Sequence, residues 1–155
     1  MKWTRQDLQQ YRHAKEYVDT MIIPLLPFQL SHDENLEHNA FQREMVSAFT
    51  RELEKELSGR VMLSPDYSYL SSADKEAERE RIHTWVTDIQ FQPFGHVFFV
   101  TFDSEWKKVE QALEGTLIWL PAIVEESMKS SEIQSIIRGQ VQEVTKLIRS
   151  YWKRS

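Results

Sequence analysis

The sequence predicts an α/β protein: a three-layer α/β/α sandwich on a four-stranded, mainly parallel sheet of the Rossmann-like or flavodoxin-like kind. Two observations carry that expectation. Four short apolar runs, Met21 to Phe28, Val61 to Pro65, His96 to Phe102 and Thr116 to Val124, are each separated from the next by a segment of helical periodicity. The chain has 155 residues, 41% of them hydrophobic, enough for one continuous core without disulfide or metal support. No linker, repeat or low-complexity tract divides it, so residues 1–155 are expected to form a single domain.

The elements follow in order. Thr4 with Asp7 resembles a capping box, and Leu8, Tyr11, Ala14, Val18 and Met21 recur at helical spacing, predicting a helix over 5–19. The run 21–27 has no polar residue and suits a strand buried on both faces. Pro24 lacks a ladder donor, so that strand should be short or irregular. From Asp33 onward, Phe41, Met45, Ala48, Phe49, Leu53 and Leu57 mark a long helix that stops near Gly59. Val61–Pro65 reads as a brief second strand, and residues 65–69 as a turn.

Ser71 or Ser72 caps a third helix whose first turns, 74–81, are almost wholly charged and read as a solvated extension; Ile82, Trp85, Val86 and Ile89 supply its apolar stripe. The aromatic and β-branched run Val97–Phe102 is a central strand. Asp103 or Ser104 caps a short helix bearing Trp106, Val109 and Leu113, and 116–121 returns as the fourth strand. Ala122-Ile123-Val124 should pack and Glu125-Glu126-Ser127 should be exposed. A final helix over 132–152 carries a stripe from Ile133 to Tyr151. One reversal of winding gives strand order 2-1-3-4.

Composition removes several functions. The chain has no cysteine, which excludes disulfides, thiolate nucleophiles and zinc-thiolate sites and fits a reducing compartment. Nineteen basic against 24 acidic residues give a net charge of −5, which argues against nucleic acid and anionic membranes as partners. No apolar run has the length of a membrane span or a signal segment, so an intracellular protein is expected. No glycine-rich phosphate loop follows a strand and no Gly-x-Ser-x-Gly elbow exists, so no cofactor is expected.

What remains is a polar rim at the carboxyl ends of the strands. After the first strand come Gln29, Ser31, His32, Asp33, Glu34, Glu37 and His38; after the second, Ser64, Asp66 and Tyr67; after the third, Thr101, Asp103 and Ser104. His32, Glu34 and His38 are the metal-ligand candidates, Glu34 and His38 sharing a helix face. Asp66, Asp103 and Ser104 are the catalytic candidates, because a strand-end carboxylate can serve as a general base. Helix capping is the plainer account of Asp103 and Ser104.

The opening Met1-Lys2-Trp3, the segment 14–20 running into Ile22-Ile23-Pro24-Leu25, and Thr116-Leu117-Ile118-Trp119-Leu120-Pro121 resemble the YpiF-like family of small proteins from spore-forming Gram-positive bacteria. That family is of unknown function; the resemblance implies a cytoplasmic bacterial protein and transfers no site residues. The sequence thus favours a non-catalytic protein-interaction or regulatory domain, binding a protein partner or itself through the C-terminal helix. The alternative is a small-molecule- or metal-dependent enzyme using the strand-end rim.

Overall fold

A computed structural model of the chain describes residues 1–122 and 126–154. Its elements alternate as the periodicity requires. Helix α1 (Arg5–Tyr11) precedes strand β1 (Thr20–Phe28); α2 (Leu36–Glu56) leads to β2 (Val61–Leu63) and β3 (Tyr67–Leu70); α3 (Lys75–Ile89) leads to β4 (His96–Thr101). A nine-residue 3-10 helix (Ser104–Ala112) then leads to β5 (Thr116–Trp119), and α4 (Ser130–Arg154) closes the chain. All strand pairs are parallel, in the order β2-β1-β4-β5, with β3 also on β1. The winding reverses between β1 and β4. The expected packing of 122–124 falls largely outside the described residues.

The sheet has five strands instead of four, and the reason is Pro24. In β1, Thr20 N–H donates to Arg60 and Ile22 C=O accepts from Ser64 N–H, so even-numbered residues turn their backbone groups toward β2. Pro24 has no N–H to offer at the next step of that ladder. The edge strand breaks there, at Ser64-Pro65-Asp66. Thr20 lies opposite Val61 and Ile22 opposite Leu63, but Leu25 lies opposite Tyr67: the edge takes one extra residue, a bulge, before pairing resumes. The first strand is therefore neither short nor irregular. It spans nine residues, and the irregularity passes to its neighbour.

That extra residue decides which way side chains point. Met21, Ile23 and Leu25 face α1, α3 and the 3-10 helix, and the bulge puts Tyr67 and Tyr69 on that face too. Without it, period-two alternation would turn both tyrosines to the other side. Ile22, Phe98, Val100 and Ile118 face α2 and α4, packing on Phe49, Leu53, Ile137, Val141, Val144 and Ile148. The three layers are thus α1/α3, sheet, and α2/α4.

Local chemistry explains the remaining departures from the sequence reading. The first helix stops at Tyr11, followed by a 3-10 turn at Lys15–Tyr17, and a 3-10 turn at Asp33–Asn35 precedes α2. Asp74, not Ser71 or Ser72, caps α3 by accepting from Ala77 N–H. The charged start of α3 is not wholly solvated, since Lys75 and Glu78 are buried. They continue the stripe of Ile82 and Val86 backward along the helix. Gly115 admits β5: a Cβ there would meet the Val97 carbonyl at 2.6 Å and the Phe99 ring at 2.8 Å.

The exposed edges are closed locally. Met1 lies along β2, its α-amino group donating to the Val61 carbonyl (2.6 Å) and pairing with Glu54 (2.7 Å), its carbonyl accepting from Leu63 N–H. On β3, Arg81 donates to the Ser68 carbonyl and Ala73 N–H to that of Leu70. At the amino end of the sheet, Arg60 grips Asp19 through two hydrogen bonds (2.9 and 3.1 Å) and lies 4.0 Å over the Trp152 ring. Trp152 in turn donates to Thr20 Oγ1, which pins the end of α4 to the start of β1. Burial raises the Asp19 pKa, but the Arg60 hydrogen bonds and charge outweigh it and hold the carboxyl below its ordinary value.

Two measurements check this architecture. In urea denaturation, Gly115→Ala should cost about 1–3 kcal/mol by overpacking. Gly139→Ala, in open space within α4, should instead stabilise by up to about 1 kcal/mol. Because the folded-state pKa of Asp19 is depressed, its contribution is present above its ordinary value of 3.8 and lost as pH falls below it. The stability gap between the native chain and Asp19→Asn should accordingly close in acid. It should stay under about 1 kcal/mol, since both partners are a third exposed.

Candidate functional site

In a doubly wound sheet the crevice at the winding reversal is where ligands enter. Here it lies beyond the carboxyl ends of β1 and β4, between Pro27, Phe102 and Asp103 on one side and Asn39, Gln42 and Arg43 of α2 on the other. Its free volume is about 10 Å³, less than one water needs for comfortable occupancy. Arg43 also reaches across to Asp66 (3.1 Å), which ties the bulge to α2. Asp66 is therefore an ion-pair partner in this structure.

Asp103 sits at the centre of a polar cluster beside that crevice. Its Oδ2 accepts from the Tyr69 hydroxyl at 2.6 Å and lies 3.5 Å from Lys75 Nζ, while Oδ1 caps the 3-10 helix by accepting from Glu105 N–H. Its own N–H donates to Thr101 Oγ1. The Tyr69 oxygen accepts in turn from the Trp106 indole N–H (2.8 Å), and Lys75 lies 4.8 Å over the Tyr69 ring. Trp106 is fully buried, and Lys75 and Asp103 retain only 8% and 16% side-chain exposure. A second tyrosine repeats the arrangement: the Tyr67 hydroxyl donates to Glu78 (2.9 Å), which pairs with Arg81, whose guanidinium lies over the Tyr67 ring.

These contacts set the tyrosines' acidity. Burial, then the Asp103 hydrogen bond and charge, pushes the Tyr69 hydroxyl well above the usual tyrosine range. Burial and Glu78 do the same to Tyr67. Chemically the cluster is a closed donor–acceptor chain running Trp106 to Tyr69 to Asp103, with Lys75 supplying the compensating charge. A cleft of about 470 Å³ opens on the far side of Lys75, between Ser71, Ser72 and Glu105.

The other candidates lie apart from this cluster. His32 is exposed and 3.8 Å from Glu34, whereas His38 faces Glu126 at 3.4 Å. Among the described residues no three His, Asp or Glu side chains come close enough to hold a metal ion. Ser104 is exposed at the start of the 3-10 helix. Gln29 closes its own loop, donating to Asn39 Oδ1 and accepting from His32 N–H. Sequence reasoning missed Lys75 and Glu78. The signal was present: positions 75 and 78 fall on the backward extension of the Ile82–Val86 stripe, where a charge must be buried.

Fold and rim together define a doubly wound α/β domain whose strand-end acids Asp66 and Asp103 are bonded to its own side chains. The family described as "Protein of unknown function (DUF2487)" matches residues 9–152, and the chain belongs to it. It is similar to the "Uncharacterized protein YpiF" of Bacillus subtilis (strain 168), 28% identical over 157 aligned residues covering 98% of each chain. This bears out the resemblance read from the sequence. No solved structure matches.

Asp103→Ala should destabilise by about 3–5 kcal/mol, because it leaves Lys75 as an uncompensated buried charge. Adding Lys75→Met to that variant should recover part of the loss in a double-mutant cycle. In a titration followed by tyrosine absorbance, Tyr67 and Tyr69 should stay protonated until the chain unfolds. Their raised folded-state pKa leaves stability intact below about pH 10, the unfolded value, and erodes it above.

Proposed function

We propose that the chain is a non-catalytic protein-interaction or regulatory domain of the cytoplasm, binding a protein partner or a second copy of itself. One observation carries the reading: both strand-end acids with catalytic potential, Asp66 and Asp103, are bonded to the chain's own side chains, beside a crevice of about 10 Å³. A general base needs a lone pair free for substrate, and Asp103 already receives a hydroxyl, an ammonium and a backbone N–H. At the same rim Phe28, Leu30 and Leu70 stand exposed, the first and last paired across β1 and β3. Exposed apolar side chains grouped this way suit a protein partner better than a polar metabolite.

The competing reading, a small-molecule- or metal-dependent enzyme, draws its support from the 470 Å³ cleft beside Lys75. A thermal-shift panel of divalent cations, nucleotides, sugar phosphates and amino acids separates the two. The interaction reading expects no compound to raise the melting temperature by more than about 2 °C at millimolar concentration. A larger rise that disappears in Lys75→Met would transfer the proposal to the cleft.

A further inference from the structure

We infer that the flank of α4 left unused by the core is a self-association surface, on which two copies pack their α4 helices antiparallel about a two-fold axis through Gln140. This rests on the interaction reading and names its partner. Helix α4 carries two apolar rows. Ile137, Val141, Val144 and Ile148 are buried against the sheet and α2. A second row, Ile133, Gln140 and Leu147, recurs every seven residues with Ile136 beside it, the spacing of a helix–helix seam, and of these Ile133 also packs in part against the core. Leu147 is 41% exposed, and Ile136, Gly139 and Gln140 border an apolar groove of about 590 Å³ whose other wall is Leu120 and Pro121.

Gln140 is the unusual member of that row. Its Nε2 and Oε1 are both sealed from water and have no hydrogen-bond partner among the described residues. An unmatched buried group carries an uncompensated desolvation cost, so turning the amide into the groove sacrifices no bond and gains any that a partner provides. A carboxamide carries one donor and one acceptor face, so its natural match across a two-fold axis is the same residue of a second copy. A single polar residue at such a seam position also fixes register.

The sequence around Gln140 has the symmetry this requires. Ile133 lies seven residues before it and Leu147 seven after, so each meets the other across an antiparallel pair. Near one end stands Glu132, and toward the other Lys146, which brings opposite charges together twice over. A parallel pair would instead stack Glu132, Glu143 and Lys146 on their own copies, at a cost in like-charge repulsion.

The chain has no cysteine, so single-cysteine variants report proximity cleanly. Light scattering and sedimentation of the native chain should give a dimer mass at micromolar concentration. Leu147→Glu, at an exposed position, should weaken dimerisation at least about tenfold with an unchanged circular dichroism spectrum. On mild oxidation Gln140→Cys should form a disulfide-linked dimer far faster than Arg138→Cys, on the opposite flank of the same helix. A native chain that stays monomeric throughout, or a dimer indifferent to Leu147→Glu whose Gln140→Cys links no faster than Arg138→Cys, overturns the proposal. Neither result touches the interaction reading, whose failure shows separately as a ligand-induced rise in melting temperature.

Discussion

The backbone of β1 must pair on both sides, and Pro24 cannot donate on one of them. Most of what distinguishes this domain follows from that missing N–H. A central parallel strand needs an unbroken ladder along each edge, and here the edge facing β2 is interrupted at the proline. The chain absorbs the gap with one extra residue at Ser64-Pro65-Asp66, and pairing resumes a step out of phase. Pro27 causes no such break, because its missing donor faces β4 beyond the end of their shared ladder. A strand that reads as irregular is therefore regular, at its neighbour's expense.

The phase change has chemical consequences. It turns Tyr67 and Tyr69 into the core shared with α3, where their hydroxyls need acceptors, and Glu78 and Asp103 supply them. Those carboxylates need countercharges, and α3 supplies Arg81 and Lys75. What a sequence reader sees as a charged, solvated helix start is in part the electrostatic complement of two buried tyrosines. Because Asp103 serves this network and caps the 3-10 helix as well, the position that most resembles a catalytic base is already engaged by the structure. The same residues that could have made a site at the carboxyl ends of the strands hold those ends together.

Legibility in the sequence divides along the same line. Val97–Phe102, the return strand after Gly115 and the striped helices α2 and α4 were readable, because burial there is apolar and its period is 2 or 3.6. Strand β3 was not, since Tyr-Ser-Tyr-Leu follows a proline and an aspartate and carries turn chemistry at its start. Lys75 and Glu78 were not, since their charged side chains mask the helical phase that places them on the stripe of Ile82 and Val86. The individual rim residues were recognised one by one, but their partners were not: that Asp66 meets Arg43, or that Asp103 meets Tyr69, depends on a register the sequence leaves open. Gln140 illustrates the converse, a polar residue inside an apolar stripe whose significance emerges only when its amide is seen to lack a partner.

Cross-strand contacts between backbone amide and α protons, measured by nuclear Overhauser effects, test the central claim most directly. The account predicts Ile22 opposite Leu63 but Leu25 opposite Tyr67 and Leu26 opposite Ser68, with one residue of the edge strand unpaired between the two halves. A continuous register that carries the β2 pairing onward and sets Leu25 opposite Asp66 would contradict it, and with it the placement of both tyrosines and the role of Asp103.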